Sequence, residues 1–117
     1  MRSLSVGRNL TANTKTTLFT VPTRQIAKWN LAHISNHTGS NKYVSLWWYD
    51  KSENTEVVII DQYSLDARKI LQFGGNGLYV VLEEGDEVRI TSETGSAMSV
   101  TVTFELEATS AVQYSQY

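Results

Sequence analysis

The sequence predicts an all-β protein: a two-sheet antiparallel sandwich of jelly-roll type with about eight strands. Three observations carry that reading. Short runs rich in β-branched and aromatic residues recur along the chain, separated by turn formers, at the spacing of roughly 8–12 residues typical of sandwiches and barrels. No segment longer than a single turn fits a helix. Two late runs, Leu78–Leu82 and Glu87–Thr91, flank Glu83-Glu84-Gly85-Asp86 as a hairpin, and eight strands with a hairpin near the C-terminal end fit a jelly roll. An immunoglobulin-like sandwich fits less well, because the cysteine pair of that fold is missing.

Residues 1–15 are polar, with only Leu4, Val6 and Leu10 spaced as apolar positions, and are expected to form an arm that orders on contact. A first strand is expected at Thr16–Val21, ended by Pro22, which cannot donate to a ladder. The next runs from about Ile26 to Ser35. The turn cluster Asn36–Asn41 then leads into Tyr43-Val44-Ser45-Leu46-Trp47-Trp48-Tyr49-Asp50, expected to be a central strand. Alternation puts Val44, Leu46 and Trp48 on one face, and Tyr43, Ser45, Trp47 and Tyr49 on the other. That second face carries too much aromatic surface for one that only meets water.

Val57-Val58-Ile59-Ile60 reads as a mid-sheet strand buried on both faces. Ser64–Arg68 fits one helical turn, followed by a short strand at Lys69–Phe73 and a glycine turn at Gly74–Gly77. After a further turn at Glu93–Ser96, Val100, Val102, Phe104 and Leu106 alternate with Ser99, Thr101, Thr103 and Glu105, so the former set faces the core. The expected inward set adds Leu46, Trp48, Val58, Ile60, Val80, Leu82, Val88 and Ile90. The organisation that follows is an N-terminal arm over 1–15, a β-sandwich domain over 16–107 and a polar C-terminal tail over 108–117.

The length of 117 residues suits one domain, large enough to bury roughly two thirds of its unfolded surface. With no cysteine, disulfide staples and thiolate metal sites are excluded. The first residues lack a signal-peptide run, and no window approaches the ~20 apolar residues of a membrane span, so a soluble protein without a membrane partner is expected. Residues 1–49 hold six of the ten bases and no acid, while all twelve acids follow. Interleaved strands could mix these charges in space. Alternatively, the basic arm docks on an acidic surface of a partner or a neighbouring copy. The bases form no run and the chain is acidic overall, which argues against nucleic acid as a partner.

Candidate chemistry is thin. His33 and His37 sit on a strand and in a turn rather than on one helix face, which is poor geometry for a metal. Glu83, Glu84, Asp86 and Glu87 read as a solvated hairpin tip rather than a calcium site or a carboxylate pair for glycoside hydrolysis. Gly74–Gly77 lacks the Lys-Ser/Thr and helix of a phosphate cradle. No serine pairs with a histidine and an acid, so neither enzymatic activity nor a cofactor is expected. An exposed Tyr43, Trp47 or Tyr49 could instead stack on sugars, as in a carbohydrate-binding module.

The runs His33-Ile34-Ser35-Asn36-His37-Thr38-Gly39, Ser45-Leu46-Trp47-Trp48-Tyr49-Asp50 and Leu82-Glu83-Glu84-Gly85-Asp86-Glu87-Val88-Arg89-Ile90-Thr91-Ser92 resemble small structural proteins of tailed-bacteriophage virions, over roughly residues 16–107. The resemblance implies a β-sandwich that decorates or cements the capsid, often as a trimer. It makes the major capsid protein the expected partner and the head surface the expected location, after synthesis in the host cytoplasm. Other members of that group sit at the head-tail junction or in the tail. In this setting Arg2 and Arg8 are expected to contact an acidic shell surface, with Leu4, Val6 and Leu10 as apolar anchors of the arm. Tyr43, Trp47 and Tyr49 form the expected subunit or ligand face.

Overall fold

The computed structural model describes residues 2–93 and 97–109. It contains nine β-strands and, among the described residues, no helix. They are β1 (Arg2–Asn9), β2 (Thr16–Thr20), β3 (Gln25–Asn36), β4 (Lys42–Asp50), β5 (Thr55–Leu65), β6 (Ile70–Gly74), β7 (Val80–Leu82), β8 (Glu87–Ser92) and β9 (Met98–Ala108). One sheet has the order β1-β9-β3-β6, with β7 also on β3; the other has the order β2-β8-β4-β5. All strand pairings are antiparallel.

β6 pairs with Leu31–Ser35 and β7 with Ala27–Trp29, so the two run head to tail along one side of β3 as a single interrupted strand. Counted that way, eight strands remain, interleaved between two sheets as in a jelly roll. The predicted fold class is therefore the observed one.

The core lies between the sheets and centres on aromatic rings. Phe104 stacks on Phe19 with centroids 4.3 Å apart, and Trp29 meets Phe73 edge-on at 5.4 Å. Around them, Ala32, Ile34, Val44, Leu46, Leu82, Val88, Ile90, Val100, Val102 and Leu106 are buried. Trp29 was not expected there, and a bulge explains why. Trp29 pairs with Phe104 but Leu31 with Thr103, which leaves Asn30 as an extra residue. Buried positions therefore switch from Ala27 and Trp29 to Ala32, Ile34 and Asn36, and strict alternation fails across the strand.

Four expectations need correction. Residues 2–9 are not a loose arm: β1 pairs along its whole length with β9, from Arg2 opposite Leu106 to Asn9 opposite Ser99. Leu4 and Val6, two residues apart on one face, pack against the core, as does Leu10. The sheet thus begins before residue 16. Second, β5 is an edge strand rather than a mid-sheet one, and Val58 is 51% exposed. Its pairing with β4 slips twice, so its β-branched run does not lie flat in the core. Third, Leu78–Leu82 and Glu87–Thr91 form no hairpin, since β7 pairs with β3 while β8 pairs with β2 and β4. The Glu83–Asp86 turn instead carries the chain from one sheet to the other. Fourth, strand rather than helix continues through Ser64 to Leu65, and a simple turn closed by the Lys69 amide on the Asp66 carbonyl follows.

Interleaving also mixes the charge. Lys28 on β3 lies opposite Glu105 on β9, and Lys15 reaches Glu56. The turn expected at Glu93–Ser96 and the tail expected over 108–117 fall largely outside the described residues.

Candidate interaction face

The outer face of the four-stranded sheet brings together the aromatic side chains of β4 and charges from three other parts of the chain. Alternation along β4 puts Trp47 and Tyr49 on this face, and register places Trp47 between Val58 of β5 and Arg89 of β8. Lys15, just before β2, sets its ammonium 4.0 Å from the centre of the Trp47 ring and 2.8 Å from Glu56 Oε1. Arg89 stacks its guanidinium 4.1 Å from the Tyr49 ring centre. The same guanidinium donates to Glu56 Oε2 at 3.1 Å and to Glu87 Oε1 at 2.8 Å. Thr17 Oγ1 also donates to Glu87 Oε1, at 3.1 Å.

Trp47, Lys15, Glu56, Arg89 and Tyr49 therefore form one continuous network. Its electrostatics agree with its geometry. The Lys15 hydrogen bond, helped by Arg89 and opposed by partial burial, holds the Glu56 carboxyl below its ordinary range. Burial acts to lower the Arg89 value, but the bonds to Glu87 and Glu56 outweigh it and raise it. At the margins of the network, Tyr43 and Val58 are 52% and 51% exposed.

Of the expected subunit or ligand face, then, Trp47 and Tyr49 lie within the network and Tyr43 stands open beside it. Both networked rings carry a cation over one ring face. Lys15, Glu56 and Arg89 were missed in the sequence. Only the alternation of Glu87, Arg89 and Thr91 along β8 hinted at an outward charged row.

The arm residues lie elsewhere. Arg2 and Arg8 are exposed on β1, in the opposite sheet, while Leu4, Val6 and Leu10 are committed to the core of their own chain.

The remaining candidates separate into structural roles. Asp86 is buried, not at a solvated tip: its carboxylate accepts the Lys51 amide at 3.0 Å, the Glu83 amide at 2.9 Å and Trp48 Nε1 at 3.1 Å. Glu84 accepts the amide of Arg24, whose φ is +62°. Among the described residues, no three His, Asp or Glu side chains are grouped to hold a metal ion. His37 Nε2 lies 2.8 Å from Ser99 Oγ, a pairing that the sequence did not reveal. Ser99 donates its own proton to Asn9 Oδ1 at 2.6 Å, so the histidine acts as donor, the reverse of what nucleophile activation requires.

No family model matches the chain, and no curated protein matches it. Among solved structures it is similar to the nucleoplasmin-like N-terminal domain of Drosophila FKBP39, at 14% identity over 93% of this chain and 94% of that one, with a TM-score of 0.48.

Proposed function

We propose that this protein is a non-enzymatic structural module that binds a protein lattice through the outer face of β2-β8-β4-β5, and that the lattice is the shell of a tailed bacteriophage, where the protein acts as a capsid decoration or cement protein. The observation that carries the binding role is the composition of that face: Trp47, Tyr43, Tyr49 and Arg89 held on a sheet. Trp, Tyr and Arg are the residues that dominate protein-binding hot spots, and a face already ordered by its own ion pairs loses little freedom on docking. The choice of a phage shell rests on the resemblance of residues 16–107 to virion structural proteins.

In this reading the partner is the major capsid protein, the location is the head surface, and the copies act as an oligomer, expected to be a homotrimer. Repeated weak contacts on a symmetric lattice then add as avidity. Arg2 and Arg8 contribute polar contacts from the outer strand β1 rather than from a free arm, and those contacts weaken as salt rises.

The test is to mix the protein with empty heads, lacking decoration, from the phage that encodes it. Co-sedimentation with heads that is lost in Tyr43→Ser/Trp47→Ala is the expected result. Binding to purified tails or necks instead would move the protein to a junction or tail position. Failure to bind any virion fraction would end the phage reading.

A further inference from the structure

We propose that a recess beside Tyr43, on the outer face of β2-β8-β4-β5, is a site for a basic side chain, Lys or Arg, presented by the protein lattice. The proposal rests on the lattice reading above and names the chemistry that the partner brings to that face.

β4 sets three rings on this face: Tyr43, Trp47 and Tyr49. Two of them share one arrangement of ring, cation and carboxylate. Trp47 carries Lys15, which is held by Glu56, and Tyr49 carries Arg89, which is held by Glu56 and Glu87. Around Tyr43 the chain supplies the ring and the carboxylate. Glu93 Oε1 accepts the Tyr43 amide at 2.8 Å, and the two residues line the same recess. Every lysine and arginine of the chain lies within the described residues, and none is placed over the Tyr43 ring, in a residue that is 52% exposed. The cation that completes this third set comes from another molecule.

The recess is built by a slip between strands. Val44 pairs with Tyr63 and Leu46 with Ile60, so Asp61 and Gln62 together face Ser45. The Gln62 amide donates to Ser45 Oγ at 2.8 Å, with Gln62 at a φ of +46°. The cavity that results has a volume of about 210 Å³ and is bounded further by Thr91, opposite Ser45 in register, and by Asn13. Of the residues that line it, Glu93 alone is charged, and the negative face of the Tyr43 ring favours the same sign of guest. Ser45 is only 8% exposed, so a charge seated against it is screened less than one on the open face. Hydroxyl and amide oxygens in the walls can accept from the several N–H donors of an ammonium or guanidinium. Lys15 on Trp47 and Arg89 on Tyr49 show that rings of this strand take either head group. A neutral or acidic side chain would engage neither the ring face nor the carboxylate in this way.

The test has two arms. In the first, the wild type, Glu93→Gln, Glu93→Lys and the control Glu83→Gln, an exposed acid in a turn, are co-sedimented with the empty heads described above. The amide oxygen of a glutamine at 93 can still accept the Tyr43 N–H, so Glu93→Gln removes the charge and leaves the wall, and circular dichroism confirms that each variant is folded. Glu93→Gln is expected to bind heads roughly tenfold more weakly, Glu93→Lys not at all, and Glu83→Gln as the wild type does. In the second arm, methylguanidinium and n-butylammonium are titrated at millimolar concentration into the wild type and Glu93→Gln, and backbone amide NMR spectra are followed. Shifts at Tyr43, Gln62 and Glu93 that vanish in Glu93→Gln are expected. Heads bound equally by the wild type and both Glu93 variants overturn this proposal while leaving the lattice reading intact. Heads that bind none of the proteins, with the probes still shifting those amides, overturn the lattice reading and leave the cation site. Probes that shift no amide at the recess overturn the site itself.

Discussion

Ser92 is buried at 1% exposure, and its hydroxyl has no hydrogen-bond partner among the described residues. It lies opposite Val44, on the core side of β8, where an unpaired hydroxyl costs roughly 1–3 kcal/mol of desolvation. Ser92→Ala is therefore expected to stabilise the fold by about 1 kcal/mol, read as a higher urea midpoint at unchanged slope. Phe104 is the opposite case. Fully buried and stacked on Phe19, it should cost about 3–5 kcal/mol when cut to alanine. Glu56 gives a pH signature. Its folded value lies below its ordinary 4.5, so its contribution is present above that value and is lost as pH falls through the folded one. The stability difference between the wild type and Glu56→Gln, about 1 kcal/mol or less, should hold from neutral pH down to about pH 5 and close below it. A difference that persists under strong acid would show that packing, not charge, links Glu56 to Lys15 and Arg89.

At the level of elements, the join between β6 and β7 depends on Gly74. Its φ is +87°, and a Cβ there would fall 2.1 Å from the Asn30 carbonyl oxygen, the same oxygen that accepts the Gly75 amide at 2.9 Å. Gly74→Ala should cost about 1–3 kcal/mol by denaturant titration, with the loss reported by Trp29 fluorescence, because Trp29 spans the bulge through its bond to the Leu31 carbonyl. Deleting residues 1–10 should lower the melting temperature as well as weaken lattice binding, since it uncovers one edge of β9 and removes Leu4, Val6 and Leu10 from the core. The elements most legible in the sequence are β8 and β9, which keep strict alternation, and β4, whose aromatic and β-branched run marks a strand even though Val44, Ser45 and Leu46 are all buried. β3 hid Trp29 because the Asn30 bulge flips its parity, and β5 passed for a central strand because its slips leave no mark on a β-branched run. β1 was too short of apolar residues to stand out, although Leu4 and Val6 already had strand spacing. Of the candidate face, the rings of β4 could be read directly. Their cations could not, because Lys15 and Arg89 arrive from parts of the chain far from β4 and linear spacing carries no record of who lies beside whom.

For the molecule as a whole, almost every sheet contact joins distant parts of the chain; β4 with β5 is the one neighbouring pair that forms a ladder among the described strands. Such non-local topology slows folding, and refolding is expected in milliseconds to seconds rather than microseconds. Stopped-flow fluorescence would measure it.

The position of β9 has a further consequence, which concerns the order in which the chain is made. β9 is made after every other described strand, yet it lies between β1, made before them, and β3. Until it is made, β1 and β3 have no common neighbour, and the first sheet is limited to β3 with β6 and β7. The second sheet can assemble earlier, leaving its inward Val44, Leu46, Val88 and Ile90 without the part of their cover that β1 and β9 supply. A nascent chain therefore waits with part of its core exposed for as long as translation through β9 takes. Slow codons within the β9 segment should lower the soluble yield more than slow codons within the β1 segment, and a cell that makes many copies at once has reason to finish each one quickly.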